Sequence, residues 1–428
     1  MRSVKIGLMG LGTVGSGVVR ILEHHREDLE KQVGSPIEIA KILVRDPGKE
    51  RQIDVDRELL TDDPRHVLDH PEIDVVVEVM GGIDPARRYI LEALERGKHV
   101  VTANKDLMAV HGPEILDLAA RKSCDVFYEA SVAGGIPIIR TLTESFSSDR
   151  ITKIMGIVNG TTNYILSKMS RENADYATAL REAQQLGYAE ADPTSDVEGL
   201  DAARKMAILA TLGFRTFVSL EDVDVRGITR VTPEDIRYAN RLGYEIKLLG
   251  VAERFDDAIS VAVQPTMISK THPLSTVGGV FNAVYVYGEA VGETMFYGPG
   301  AGSLPTATSV VADLVAVVRN MKLGVNGRRM FAPYRQKKLL SADRIVSRYF
   351  LLLNVDDRAG VLARITQVFA DFEVSLESVV QQPDAGGSVA EIVIVTHEAS
   401  KAAMEGVVGR LRELPVVRRI KSVYRVEG

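Results

Sequence analysis

Residues 4–15 read VKIGLMGLGTVG, and the succession of residue types in this stretch decides the architecture. Val4 to Met9 is an apolar run of strand length, which predicts a short buried strand. The run ends in Gly10, Gly12 and Gly15, the GxGxxG spacing, and a helical pattern follows from Thr13 to about Glu30. Strand, glycine turn and helix in that order turn a weak motif into a usable one. Glycine permits the tight turn and the close approach of backbone to pyrophosphate, while the helix N-terminus supplies N–H donors and positive potential. Gly10, Leu11, Gly12, Thr13, Val14 and Gly15 are therefore candidate cofactor-binding residues. The second strand, Ile37 to Val44, ends at Arg45 rather than at an acidic residue that would bind a ribose 2′-hydroxyl. A guanidinium suits a 2′-phosphate. Asp46 follows at once, so NADP(H) is expected ahead of NAD(H), with NAD(H) still open.

Outward from this start, strand and helix patterns alternate. Ile73 to Val79 is apolar, and Asp84 and Pro85 stand as N-cap and first residue of a helix ending at Gly97. The strand His99 to Ala103 then delivers Asn104 and Lys105 at its carboxyl end, the edge where such sheets bind ligands. A further strand, Asp125 to Glu129, runs into the small-residue loop ASVAGGIPII. The expectation is a doubly wound α/β domain over residues 1–132.

Past Arg150 the pattern becomes α+β, with a strand at Ile151 to Val158 and the polar turn NGTTN, Asn159 to Asn163, opening a helix. Residues 187–209, GYAEADPTSDVEGLDAARKMAIL, place Glu190, Asp192 and Asp196 around a Pro193 turn ahead of a helix. Asp201 and Lys205 are four residues apart and share one face of it. A carboxylate one turn before an ammonium orients the amine and keeps it protonated, as a proton donor to a carbonyl oxygen requires. Runs at Tyr244 to Val251, Ile259 to Val263, Val284 to Tyr287 and Thr294 to Tyr297 predict a mostly antiparallel sheet suited to burying helices and to pairing with a second subunit. After GPGAG, Gly298 to Gly302, a helix of about four turns near residues 303–320 is expected to pack back onto the first domain. Residues 133–302 thus read as a catalytic domain, 321–347 as a linker, and 348–428 as a separate βαββαβ module, its second and third strands joined through a Pro383 to Gly387 loop.

With 428 residues, 45% of them hydrophobic and 26% charged, the chain can bury large cores in two or three domains. A net charge of -6 without a basic stripe argues against nucleic acid, and the lack of a long apolar run argues against a membrane span. The single Cys124 excludes an internal disulfide and a paired-thiolate zinc site. A cytoplasmic location is expected, since no signal segment precedes the first strand.

Several of these stretches resemble one family. The acidic loop with GLD and ARK on the helix, nearly continuous from Gly187 to Lys205, is similar to the substrate segment of homoserine dehydrogenases, and VTANKDLMA is similar to the segment carrying their lysine between nicotinamide and substrate. The resemblance implies an oxidoreductase that interconverts L-homoserine and L-aspartate 4-semialdehyde on the route to threonine and methionine. Glu190 would bind the substrate ammonium, Asp196 and Asp201 would shape and charge the pocket, and Lys205 would donate the proton, with Lys105 able to share or replace that role. Tyr188 belongs to the same substrate loop, and Asn159, Gly160 and Thr161 would face the substrate carboxylate. Gly302 would lie against the nicotinamide. Glu129, Val132, Gly134 and Ile136 would hold a monovalent cation, sodium in the resembled family. Residues 348–428, with DRAGVLA at their first turn, resemble an ACT domain, a module that binds amino acids at domain interfaces; L-threonine is the expected effector and a homodimer or homotetramer the expected assembly.

Two other readings stay open at this point: another amino-acid-type oxidoreductase of the same architecture, and a non-catalytic amino-acid sensor. A module set beyond a linker also leads to the expectation that cutting the chain near residue 345 leaves hydride transfer intact and removes inhibition by threonine. On the cofactor, Arg45→Ala is expected to raise the KM for NADPH more than that for NADH. Equal losses for both would remove Arg45 as the reader of a 2′-phosphate.

Overall fold

The opening apolar run is β1 (Val4–Met9), and with β2 (Ile37–Leu43), β3 (Leu60–Thr61), β4 (Ile73–Glu78), β5 (His99–Thr102) and β6 (Val126–Phe127) it forms a parallel sheet in the order β3-β2-β1-β4-β5-β6. This is a computed structural model, and it describes residues 2–51, 53–327, 333–383 and 388–428. Ile6, Leu8, Val75, Val77 and Val101 are fully buried, because helices cover both faces of a parallel sheet and leave no polar side to the strand. The order reverses beside β1, and the glycine turn emerges there, at the carboxyl end where open α/β sheets take ligands. This is the doubly wound class that the sequence predicts.

Some boundaries differ from expectation. The helix after the glycine turn stops at His24, and a second one, Arg26–Val33, begins after His25. The two pieces let Leu29 and Val33 turn into the core, a direction that one straight helix would not give them. Pro85 serves as the N-cap of Ala86–Glu95 rather than its first residue, so Asp84 does not cap that helix. Ser303–Leu323 has 21 residues, about six turns rather than four, and is closed by Gly324 in the left-handed region. It packs against Thr13–His24 at Gly17, where a Cβ would stand 2.5 Å from the Ser303 carbonyl oxygen. Val18, Leu22, Val310, Leu314 and Val317 fill the seam.

The chain divides into two units. The first comprises Met1–Ile154, Arg204–Glu221 and Phe281–Gln336, and the second Met155–Ala203, Asp222–Val280 and Lys337–Gly428. The remaining strands are β7 (Ile151–Ile157), β8 (Val223–Val225), β9 (Tyr244–Phe255), β10 (Ala258–Ser269), β11 (Phe281–Gly288), β12 (Gly292–Pro299), β13 (Val346–Asp356), β14 (Leu376–Pro383), β15 (Val389–Thr396), β16 (Ala399–Ser400) and β17 (Val417–Glu427). In the first unit β11 and β12 form an antiparallel hairpin. In the second, strands follow the order β9-β10-β17-β13-β15-β14.

The βαββαβ order of the C-terminal module is present, with helices Val361–Asp371 and Lys401–Glu413 on β13, β14, β15 and β17. The module is not separate, however. β17 pairs in parallel with β10 through Thr266 and Arg425, Met267 and Val426, and Ile268 and Glu427, so one sheet runs from the substrate segment into the module. Asp235, fully buried on the helix Pro233–Arg241, accepts hydrogen bonds from the hydroxyls of Ser422 and of Tyr424, the latter at 2.9 Å. The expected linker is also tied down at its end, where Leu340 N donates to Ile259 O at 2.8 Å. Residues 328–332 of that linker, and the expected hairpin loop beyond Pro383, lie outside the described residues. Among the described residues no helix is long and apolar enough to cross a membrane.

This continuity changes the expectation for truncation. Removing residues 346–428 uncovers the edge of β10 and strips Asp235 of two buried donors, each such loss costing about 1–3 kcal/mol. The truncated chain should therefore melt well below the full chain or aggregate, as measured by thermal denaturation. An unchanged melting temperature would mean that the shared sheet contributes nothing to stability.

Candidate active site

In the first unit the glycine turn forms an open cradle. Gly10 has φ +104°, and a Cβ on Gly15 would lie 2.2 Å from the Gly10 carbonyl oxygen, so both positions are closed to larger residues. A Cβ on Gly12 would meet nothing within 4 Å, and Gly12 caps the helix without any side-chain bond. These residues fit a dinucleotide pyrophosphate. Leu11 and Val14 are partly buried, Thr13 is exposed, and the Thr13 carbonyl accepts the Ser303 hydroxyl at 2.7 Å, just past Gly302. Arg45 is exposed beyond β2, while the neighbouring Asp46 carboxylate accepts the Gly48 N–H at 2.8 Å.

The carboxyl ends of β4 and β5 are joined by a residue that sequence reasoning missed. Glu78 is fully buried, and its carboxylate accepts Met80 N at 2.8 Å, Gly81 N at 3.3 Å and the Thr102 hydroxyl at 2.7 Å. Burial pushes its carboxyl up despite these donors. Asn104 caps the next helix by accepting Leu107 N at 3.1 Å and donates to Gly82 O at 2.6 Å. Lys105, half-buried, is the first residue of that helix, Lys105–Arg121. Asp106 pairs with Arg204 at 3.2 Å, so Lys105 and Lys205 each adjoin a member of one ion pair. A carboxylate at the end of an apolar strand was the available signal for Glu78.

The loop after β6 is organised by carboxylates. Glu129, 4% exposed, accepts Ile139 N at 2.7 Å and Arg140 N at 2.8 Å, capping the turn that follows Pro137. Asp313, on the helix Ser303–Leu323, accepts Glu129 N and an Arg140 guanidinium N–H, each at 2.8 Å. Burial, reinforced by Glu129, pushes its carboxyl up to about 8. Val132, Gly134 and Ile136 are buried, Gly134 has φ +49°, and its carbonyl accepts the Ser309 hydroxyl at 2.7 Å. The Glu129 carboxylate is engaged by two N–H groups, and the Ile136 carbonyl accepts Ile138 N at 2.9 Å. Among the described residues no cluster of His, Cys, Asp and Glu has a geometry suited to a metal ion.

In the second unit one amide ties the substrate candidates together. Asn159 caps the helix Gly160–Glu172, its side-chain oxygen accepting Thr162 N at 2.9 Å. Its side-chain nitrogen donates to Asp196 at 2.7 Å and to Asp201 at 2.9 Å. The turn NGTTN, the acidic loop and the helix Leu200–Phe214 are thereby fixed to one another, with Asp201 5% exposed and Lys205 one turn on. Thr161 donates its hydroxyl to Tyr188 O at 2.6 Å, and the Tyr188 ring lies 5.0 Å from Tyr164. The side chains of Asn159 and Thr161 are thus engaged within the unit, while Gly160 brings its backbone against Val280, where a Cβ would stand 2.7 Å from the carbonyl oxygen. Glu190 is exposed. Behind the turn, the buried Lys247 donates to Val277 O at 2.7 Å and to Asn163 at 3.3 Å.

Three family models match the chain. Residues 10–129 match the model for the homoserine dehydrogenase NAD binding domain, 137–315 the model for homoserine dehydrogenase and 349–416 the model for the ACT domain. The chain is 57% identical to a homoserine dehydrogenase of Bacillus subtilis (strain 168) over 429 residues, covering 100% of this chain and 99% of that protein. A homoserine dehydrogenase of Mycobacterium tuberculosis (strain ATCC 25618 / H37Rv) is 48% identical over 436 residues, covering 100% and 98%. The crystal structure of a homoserine dehydrogenase from Thiobacillus denitrificans superposes with a TM-score of 0.93 at 41% identity, covering 100% of this chain and 99% of that one. A hyperthermophilic archaeal homoserine dehydrogenase in complex with NADPH superposes with a TM-score of 0.64 at 27% identity, covering 76% and 100%.

The amide bridge makes a prediction. Asn159→Ala leaves two neighbouring carboxylates without their shared donor and should cost about 1–3 kcal/mol of stability. It should also lower kcat/KM by at least tenfold, as Asp201 loses its fixed direction. Calorimetry and steady-state kinetics check the two effects, and wild-type values for both would refute the bridging role.

Proposed function

Because the chain belongs to the homoserine dehydrogenase family, we propose that it interconverts L-homoserine and L-aspartate 4-semialdehyde in threonine and methionine biosynthesis, with NADP(H) preferred and NAD(H) usable. The bound nicotinamide supplies or accepts the hydride, and the chain's own side chains bind, orient and move the proton. In the reducing direction Lys205 donates a proton to the forming alkoxide, while Asp201, one helical turn earlier on the same face, orients it. The observation that carries this assignment is the bond from Asn159 to Asp201, which fixes the carboxylate ahead of Lys205. Lys105, at the start of its helix beside the Asp106–Arg204 pair, stands ready to share the role.

Glu190 offers its exposed carboxylate to the substrate ammonium. Gly160 and Thr161, in the first turn of Gly160–Glu172, offer N–H groups to the substrate carboxylate, and Asp196 and Tyr188 line the same loop. The preference for NADP(H) is supported by the exposed Arg45, by the engagement of Asp46 with Gly48, and by the NADPH of the archaeal relative. Gly302, the N-cap of Ser303–Leu323, would cover the nicotinamide end of the cofactor. A sodium ion on the main-chain oxygens of Glu129, Val132, Gly134 and Ile136 would brace the loop after β6. L-Threonine is the effector that an ACT module on this pathway suggests. Assembly as a homodimer or homotetramer is supported by the exposed, stacked Phe281 and Tyr297 on the hairpin of β11 and β12, with ring centroids 5.2 Å apart.

The decisive assay is NADPH oxidation in the presence of L-aspartate 4-semialdehyde; no turnover would leave the sensor reading in its place. Lys205→Ala should lower kcat by about 10²–10⁴-fold with the KM for NADPH near its wild-type value, the scale expected for a lost general acid. If Lys105→Ala shows that loss and Lys205→Ala does not, the proton comes from Lys105.

A further inference from the structure

Lys247, on β9 in the second unit, is only 3% exposed. A buried ammonium is costly unless a carboxylate meets it. Among the described residues this one makes no ion pair. It donates to the Val277 carbonyl at 2.7 Å and to the Asn163 side-chain oxygen at 3.3 Å, both neutral. Two charged groups face it: Glu245, two residues earlier on its own strand, and Arg171, on the helix Gly160–Glu172. Glu245 instead accepts the Ser170 hydroxyl at 3.0 Å. Burial lowers the Lys247 ammonium to about 8, Arg171 adding to that shift and Glu245 opposing it. At neutral pH the group therefore stays charged, with no carboxylate in contact.

The charge sits beneath the start of one helix. Asn163 follows Asn159 by four residues and Gly160 by three, so its side chain shares their face and leans over the first turn. Residues 277–280 cross the same face, since Val277 O accepts from Lys247 and a Cβ on Gly160 would stand 2.7 Å from Val280 O. The ammonium is thus enclosed between that segment and the turn. Of the N–H groups that open the helix, Thr162 N goes to the Asn159 side chain at 2.9 Å and Asn163 N to the Asn159 carbonyl at 3.2 Å. Those of Gly160 and Thr161 are left to an acceptor from outside the helix, and they are the two read above as donors to the substrate carboxylate.

Negative charge surrounds the same turn. The Asn159 amide holds Asp196 and Asp201 against it, and their field opposes an incoming carboxylate. A helix start contributes only about half a positive charge. A full unit charge fixed behind the turn, in a place shielded from water, offsets the two carboxylates on the side where the open N–H groups lie. The site then has a positive end and an acidic end, which matches the two ends of an α-amino acid.

We propose that Lys247 is a specificity-determining residue: without touching the substrate, it sets the potential at the Gly160 and Thr161 N–H groups so that they take a carboxylate despite Asp196 and Asp201. The proposal rests on the reading of this turn as the place of the substrate carboxylate and adds the group that makes it selective for an anion.

The test measures kcat/KM of the full chain for oxidation of L-homoserine and of its primary amide, which keeps the shape and removes the negative charge. The wild type should favour the acid. Lys247→Met, which keeps the length of the side chain and drops its charge, should reduce the ratio of acid to amide at least tenfold, with the KM for the oxidised cofactor near its wild-type value. Lys247→Gln keeps an N–H donor in place of the ammonium and should show the same fall, which covers the case of a Met variant that does not fold. A purely structural lysine would lower both substrates together and leave the ratio alone, so an unchanged ratio in a folded variant overturns the proposal while the reading of the turn stands. A wild type that does not distinguish acid from amide removes the turn as the carboxylate site and this role of Lys247 with it.

Discussion

Two carboxylates that must sit close together need a shared neutral donor, and the Asn159 amide provides it between Asp196 and Asp201. Their like charges repel at close range, and the amide N–H groups between them offset part of that repulsion. The amide also caps the helix Gly160–Glu172, so the electrostatic constraint and the direction of that helix are satisfied by one side chain. The direction of Asp201, and with it the environment of the next turn of its helix, depends on this residue.

The first unit solves a similar problem with different groups. Glu78, Glu129 and Asp313 are buried carboxylates, and each is surrounded by backbone N–H groups or, for Asp313, a guanidinium. Burial alone would make them costly. The donors come from Thr102 and from the turns and loops after the strands of the parallel sheet, while the returning helix Ser303–Leu323 contributes Asp313 as an acceptor, so those loops are held by charge-assisted bonds. The close approach at Gly17 lets that helix lie against the one that opens the dinucleotide fold.

The C-terminal module takes part in the second unit as a continuation of its sheet. A parallel pairing of three residues between β10 and β17 is short, but Asp235 reinforces it with two buried hydroxyl donors. A module built this way is tied to the acidic loop, because β8 pairs with β10 and the acidic loop bonds to the residues after β8.

Much of this protein was legible in its sequence. The apolar run before Gly10 and the later alternation of strand and helix patterns indicated a parallel sheet covered on both faces, and the spacing of Gly10, Gly12 and Gly15 pointed to its doubly wound form. The four-residue spacing of Asp201 and Lys205 places them on one face of the helix Leu200–Phe214. The βαββαβ order of the last segment was equally readable from local periodicity. What remained hidden depends on contacts distant in sequence. Nothing near Asn159 announces that its amide meets residues 37 and 42 positions on, and nothing in the linker composition reveals that β17 returns to β10. Local periodicity specifies which face of an element is apolar. Which element that face meets, and where a buried polar group finds its partner, are settled only when the chain closes on itself.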